Sequence, residues 1–525
     1  MGTSGRWAGT TGWGKIVAMT KPAQHSDAWR PRYPAGTTLG FDASVRLLNG
    51  TDGDVVLMGG SPLRLLRLRP RAREVVGAWQ DGDPIGAARS DQRLADRLIG
   101  ANIAHPRIRD RAGPSVGDVT IVIPVHNRSS ELGALLESVG DLSWRVAEVI
   151  VVDDGSSDDV SEVARRLGAT VVRRDVASGP GAARNAGLKL VDTPFVAFLD
   201  SDCIASSDWL DALLPHFADD QVAILAPRVA SSADLSLIGR YEAVRSSLDL
   251  GSAPALVRPG SRVAYVPAAA LVARTAAIRN LGGFAEAMHV GEDVDLIWRT
   301  IDTGHTVRYE PTSVIHHRSR TSLQLFAARR YAYGSSAGPL ERRHPGRLHP
   351  MVLSPWSAAA WAAVATGTPL GIGVGAAIAT GSAAALPAKL TMVSEPRALA
   401  WTLAARGHLG AGEQLTRSLV RSYLPLTVVA AVASRRARRL ALASLVPYVV
   451  DWRRDRRADK STPSAVPYVG LRLVDDGAYC LGVWRSCLAA RMIGPLTPRL
   501  QNWPGRQPAT EDGGSWGSSS TVRCK

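Results

Sequence analysis

Carboxylates at the ends of apolar runs are the residues of this chain best placed to do chemistry. Phe198-Leu199-Asp200-Ser201-Asp202-Cys203 sets two acids around one serine, directly behind the run Pro194-Phe195-Val196-Ala197-Phe198-Leu199. A buried strand that ends in acid-x-acid delivers oxygen ligands at the carboxyl edge of a sheet, where open α/β folds hold their ligands. Hard divalent cations that also hold phosphate oxygens take such carboxylates. A second pair, Asp153-Asp154, closes the run Val149-Ile150-Val151-Val152. A third cluster, Gly291-Glu292-Asp293-Val294-Asp295, opens a helix through Ile301. A positioned carboxylate there suits deprotonation of a hydroxyl nucleophile, and the helix dipole alone also favours acids on a first turn. Tyr309 to His317 reads as a strand ending in His316-His317, which suits either a transition-metal site or an ordinary polar strand end.

These groups need a scaffold that brings strand ends to one edge. Val119 to Asn127 reads as a buried strand breaking at Pro124, followed by a helix from Glu131 to Val139. After the Asp153-Asp154 strand, Ser157 or Asp158 caps a helix through Val163, Ala164 and Leu167. Thr170-Val171-Val172 is a third strand. Strands alternating with helices at this spacing imply βαβ units and a parallel sheet, so two strands present acids at the same edge. Between them, Gly179-Pro180-Gly181-Ala182-Ala183-Arg184-Asn185-Ala186-Gly187 allows close backbone approach and a helix start with free N–H groups. Arg184 there offers a fork for phosphate; a Gly/Pro loop entering a surface helix is the plainer alternative. The segment is neither the spaced-glycine dinucleotide fingerprint nor a P-loop.

In this order the motifs resemble those of the family 2 glycosyltransferases of the GT-A fold, over roughly Val119 to Ser322. The resemblance implies an inverting, metal-dependent hexosyltransferase using a nucleotide-activated sugar and Mn²⁺ or Mg²⁺. It implies that Pro124 and Asn127 lie beside the donor's base and ribose, that Asp153 and Asp154 bind uracil and ribose, and that Arg184 and Asn185 line the donor pocket. Asp202 would coordinate the cation and Asp200 would face the ribose or a metal-bound water. Asp293 would be the catalytic base, Glu292 its neighbour on the acceptor, and one of His316 and His317 a further metal or phosphate ligand. A cation and Arg184 would neutralise the departing diphosphate through an oxocarbenium-like transition state. The Gln-x-x-Arg-Trp motif of processive cellulose-type synthases is absent, which weakens any reading as a polymer extruder.

At 525 residues the chain has room for units beyond one such domain, expected at 117–345. Residues 1–27 lack periodicity and are expected to be disordered, as is the Gly/Ser-rich tail 507–525. Met19 opens a more ordinary N-terminus, and no secretory signal pattern occurs. Over 34–105, a hairpin of Val45-Arg46-Leu47-Leu48 and Val55-Val56-Leu57-Met58 precedes Leu65-Leu66-Arg67-Leu68 and helices at Arg71 to Trp79 and Arg93 to Ile99. This small α+β unit is winged-helix-like and resembles the peptide-recognition domains that add a peptide as a strand at an open sheet edge; a cap packed on the catalytic domain is an equal alternative. With its segments Phe41 to Leu48 and Gly59 to Leu68, this unit ahead of a family 2 core and a hydrophobic tail resembles the mycofactocin-system glycosyltransferases of actinobacteria. That resemblance implies UDP-glucose as donor, premycofactocin as acceptor, β-1,4-linked glucose units, and a precursor peptide or pathway protein as partner.

The C-terminal part, 350–500, reads as a hydrophobic helical, membrane-associated region. Pro350 to Ala388 holds no charged residue, enough for one tilted span or two tight ones broken around Gly367-Thr368-Pro369; a buried helical hairpin remains open. Tyr423 to Ala433 and Leu440 to Val450 are apolar but divided by Arg435, Arg436, Arg438 and Arg439, which suits an interfacial helix on anionic lipid. The expected location is the cell membrane with the catalytic domain in the cytoplasm. The net charge of +15 comes without aromatic-basic interleaving or zinc spacing, so no nucleic-acid partner is read. Cys203, Cys480, Cys487 and Cys524 form no disulfide framework, as in a reducing compartment. Two other classes stay open: a membrane glycosyltransferase acting on polyprenyl phosphate or a cell-wall glycan, and a peptide-binding scaffold with an inert catalytic domain.

Overall fold

The computed structural model describes residues 32–501 apart from 109–112, 144, 233 and 319–321. The disorder expected at 1–27 and 507–525 lies outside the described residues. The described residues begin with β1 (Thr38–Phe41), then a meander of β2 (Arg46–Asn49), β3 (Val55–Gly59) and β4 (Arg64–Leu68). Helices α1 (Pro70–Gln80) and α2 (Arg89–Gly100) follow, and β5 (Ala104–Arg107) returns antiparallel to β1. Leu57, Leu66, Val76, Trp79, Leu94 and Leu98 close over one another as a small core. Asn102, with φ of 56°, leaves this unit and binds the catalytic part: its Oδ1 accepts from Leu256 N at 2.6 Å and its Nδ2 donates to Leu256 O at 2.9 Å.

The central part alternates strand and helix: β6 (Val119–Val125), α3 (Ser129–Gly140), β7 (Glu148–Asp154), α4 (Val160–Arg166), β8 (Thr170–Arg174), α5 (Pro180–Leu188) and β9 (Phe195–Leu199). Then come β10 (Cys203–Ala205), β11 (Val222–Ser231), α6 (Leu237–Arg245), β12 (Ala255–Leu256), β13 (Ala270–Arg274), α7 (Thr275–Asn280), α8 (Glu292–Asp302), β14 (Thr306–His317), α9 (Leu323–Ser335) and α10 (Ala337–Arg343). Among the described residues these form one nine-stranded sheet in the order β10-β14-β11-β13-β9-β6-β7-β8, with β12 beside β14. Strands β6, β7, β8 and β9 are parallel, and β13 runs against both β9 and β11. Successive side chains point to opposite faces, so Ile121, Ile123 and Val151 pack under α3 and α4 while Val122, Ile150 and Val152 meet α5. Gly187 lets α5 lie on the sheet, since a Cβ there would stand 2.4 Å from Val122.

Two local expectations need correction. Strand β6 runs through Pro124 to Val125; β9 pairs with β6 only as far as Val122, so the proline lacks an N–H where no neighbour asks for one. Helix α4 starts after Asp159 without a side-chain cap bond. Asp158 instead accepts from Ser129 N at 3.0 Å, at the first turn of α3.

The remaining described chain is mainly helical: a short β15 (Val352–Leu353), then α11 (Pro355–Ala365), α12 (Pro369–Ala385), α13 (Pro396–Arg421), α14 (Leu424–Ala433), α15 (Arg435–Ala443), α16 (Val446–Ala458) and α17 (Ala465–Ala490). The apolar stretch breaks at Gly367, whose φ is 65°, and among the described residues one helix, Pro369–Lys389, is long and apolar enough to cross a membrane. Its apolar window is 17% buried. Helix α17 lies against α9 at backbone contact: a Cβ on Gly334 or on Gly482 would sit 2.1 Å from the facing carbonyl of Tyr479 or Tyr331.

Candidate active site

A cleft of about 1170 Å³ opens beyond the carboxyl ends of β6, β7 and β9. Pro124, Asp154, Arg184, Asp200, Asp202, Glu292 and Asp293 all line it, so carboxylates far apart in the chain share one space. Arg184, 3% exposed, joins two of the acidic motifs: Nη1 donates to Glu292 Oε1 at 2.8 Å and Nη2 to Asp200 Oδ1 at 2.6 Å. Its fork is therefore committed to carboxylates rather than open to a phosphate. Burial and then the neighbouring charge of Asp293 push Glu292 up to about 7, against the pull of Arg184. Burial also raises Asp293, although Val294 N and Ala268 N donate to its two oxygens at 2.8 and 3.3 Å.

Asp202 meets Arg128 Nη1 and, at 3.3 Å, His317 Nε2. The register pairs His317 with Cys203, and alternation along β14 turns His316 to the other, exposed face. A carboxylate beside an imidazole is a donor set that suits Mn²⁺, and the guanidinium resting on Asp202 shows that this place accommodates positive charge. No group of three or more His, Cys, Asp or Glu side chains gathers as a ready ligand cage among the described residues.

The match to the family model "Glycosyl transferase family 2" covers residues 120–280. A pre-mycofactocin glycosyltransferase of Mycobacterium tuberculosis is 43% identical over 482 residues, which is 90% of this chain and 99% of that relative. This chain belongs to the family 2 glycosyltransferases. The succinoglycan biosynthesis protein ExoU of Rhizobium meliloti is 30% identical over 213 residues, 38% of this chain and 60% of its own. Among solved structures, the mannosyltransferase PcManGT from Pyrobaculum calidifontis in complex with GDP-Man and Mn²⁺ aligns with 58% of this chain and 90% of its own, at 17% identity and a TM-score of 0.34. The fold of this glycosyltransferase is GT-A: a mixed sheet with helices on both faces, extended by a C-terminal helical region.

Several residues singled out from the sequence of this glycosyltransferase stand behind the cleft rather than on it. Asp153 is fully buried and accepts from Ser156 N, Ser161 Oγ and Arg173 Nη1 at 2.9, 2.5 and 2.5 Å. Burial would raise it, and these donors hold it below the usual carboxylate range. Asn127, at φ 52°, ties two loops together by accepting from Ser157 N at 2.7 Å. Asn185 clasps Phe284 by its backbone N and O at 2.8 and 2.9 Å. His316 and His317 do not line the main cleft, and only His317 reaches Asp202. Other cleft residues went unread. His126 and Arg128 follow the β6 strand end, and Arg329 on α9 donates from Nε to Tyr333 Oη at 3.0 Å. Arg128 directly follows Asn127, already singled out, whereas no motif marks Arg329.

Proposed function

We propose that this chain transfers a glucosyl unit from UDP-glucose to a hydroxyl of premycofactocin, with inversion, building β-1,4-linked glucose. The observation that carries this reading is the placement of Asp293 in the same cleft as Asp154, Asp200 and Asp202. The end-to-end similarity to the mycobacterial relative supports the acceptor. Asp154 and Pro124 would bound the base and ribose, while Asp153, Asn127 and Asn185 hold the loops that shape this pocket. Asp293 would take the acceptor hydroxyl's proton as its oxygen attacks the anomeric carbon and the bond to the diphosphate breaks. Glu292, held by Arg184, would orient the acceptor. Arg128 and Arg329 would face the departing diphosphate, because the fork of Arg184 is occupied. Asp202, with His317 and Asp200, would hold a divalent cation, which when bound supplies Lewis-acid charge to the leaving group. The N-terminal meander leaves the outer edge of β4 without a partner strand among the described residues, the place where a precursor peptide would add.

The exposed α12, with Leu370, Ile372 and Val374 at its surface, and the arginines of α15 support attachment to the membrane on the cytoplasmic side. The same exposed apolar surface favours a second reading, transfer to a polyprenyl phosphate. Purified protein incubated with a panel of nucleotide sugars and pathway intermediates tests both. A product heavier than premycofactocin by hexosyl units supports the first reading, and a glycosylated lipid phosphate replaces it with the second.

A further inference from the structure

The wall of the cleft facing Asp293 comes from outside the sheet. Helix α13 contributes Arg417 and Arg421, and α17 contributes Arg472, Asp475, Asp476 and Tyr479. Each of these arginines pairs with a carboxylate of the same region, Arg421 and Arg472 with the same one. Arg417 pairs with Asp451 at 2.8 Å, Arg421 with Asp476 at 2.5 Å, and Arg472 with Asp476 at 3.5 Å. Arg330 of α9 meets Asp475 at 3.3 Å. The phenols of Tyr448 and Tyr241 donate to Asp476 and Asp475 at 2.8 and 3.1 Å, so the acids are satisfied as well. These arginines of α13 and α17 are thus already engaged, and turning one of them to a phosphate would break a carboxylate pair.

Aromatic groups share the cleft with this wall. Tyr265, Tyr333 and Tyr479 line the cleft and are half-buried. Tyr265 stands within electrostatic reach of Asp293, Tyr479, Tyr333 and Arg421, and burial pushes its phenol up. Arg421 stacks on Tyr479 with its guanidinium carbon 4.0 Å from the ring centre, which fixes that ring. Rigid amphipathic rings with a few placed polar tips suit a ligand that has an apolar face and a hydroxyl rim.

We propose that α13 and α17 are the acceptor half of the active site, where Tyr265, Tyr333 and Tyr479 hold an uncharged, ring-bearing hydroxyl acceptor against Asp293. The inference rests on the transferase reading above and deepens it: the C-terminal region recognises substrate as well as attaching the protein. It makes an uncharged acceptor the better fit to this wall than a lipid phosphate.

The test uses the full chain, wild type and with Tyr479→Ala, Tyr265→Phe or Tyr333→Phe. The donor is UDP-glucose, and the acceptors are premycofactocin, p-nitrophenyl β-glucoside and farnesyl phosphate. Tyr479→Ala should raise the KM for the uncharged acceptors roughly tenfold, the scale of one lost aromatic contact, while the KM for UDP-glucose stays within about twofold. Tyr265→Phe and Tyr333→Phe, which keep the rings, should give smaller rises in acceptor KM alone. Activity on the glucoside as well as on premycofactocin would show that a sugar ring suffices. Unchanged acceptor KM in all three variants overturns the proposal, as does preferential glucosylation of farnesyl phosphate. A wild-type protein that neither transfers nor hydrolyses any nucleotide sugar overturns the transferase reading itself, so the two failures are distinguishable. Should Tyr479→Ala unfold, the two phenylalanine variants still decide.

Discussion

Asp293 and Glu292 are neighbours on one helical turn with both carboxyls raised, so the folded protein keeps them protonated at a pH where exposed acids have ionised. A base must be ionised to accept a proton, so transfer should fall at low pH over a range raised above that of exposed carboxylates, with an apparent pKa belonging to the pair. Asp293's charge helps to raise Glu292, so Asp293→Asn should move the Glu292 titration, followed by carboxyl NMR, to lower pH; a titration that stays in place refutes the coupling. Asp293→Asn keeps the shape and should cut turnover by about a hundredfold or more with donor affinity retained. The same ionisation bears on stability: Glu292 costs the folded state nothing below its ordinary 4.5 and destabilises it increasingly as pH rises from there to about 7. Arg184→Met would leave Glu292 and Asp200 facing each other without their shared cation, and should lower stability by about 3–5 kcal/mol, read as a fall in Tm. Chelation should abolish transfer, Mn²⁺ or Mg²⁺ should restore it, and Asp202→Asn should resist rescue; full activity in excess chelator would remove the metal role.

At the level of elements, α9 and α17 touch through two glycines. A methyl group at Gly334 or Gly482 meets a carbonyl oxygen of the opposing helix at 2.1 Å, and a backbone cannot yield as a flexible side chain can. Gly482→Ala should therefore destabilise by about 1–3 kcal/mol and raise the acceptor KM, because α17 carries Tyr479; an unchanged Tm and KM would show that the helices separate without consequence. The runs at 119–125, 149–152 and 195–199 read as strands because no charge interrupts them, and the ends of the last two bring Asp154, Asp200 and Asp202 to one edge. Helices α13 and α17 were not legible in the same way. Arg472, Asp475 and Asp476 interrupt the apolar pattern of α17, and only the tertiary pairing with Arg421 and Arg330 makes those charges compatible with burial. Arg128 was hidden by composition, one arginine in a chain with 62 Lys and Arg residues. The choice between His316 and His317 required strand register, which depends on the facing β10 and not on β14 alone.

The whole molecule joins a catalytic sheet to an apolar helical hairpin, and the two kinds of membrane attachment separate by salt. Insertion of Pro369–Lys389 should survive high-salt and alkaline washes, whereas attachment through Arg435 to Arg439 alone should wash off. Recovery of all the protein in the soluble fraction would overturn the membrane reading. The N-terminal unit is held to the sheet in a different manner, by Asn102 standing where another strand would pair with Leu256. Its side chain supplies one donor and one acceptor, the two groups a neighbouring backbone would offer. A chain shortened to begin near Ser115 would therefore present an open, apolar β-edge at Ala255–Leu256, a template for sticking to other copies. Attempts to obtain the transferase part by itself should yield aggregates, and grafting this sheet onto a foreign leading module would require that module to bring its own asparagine.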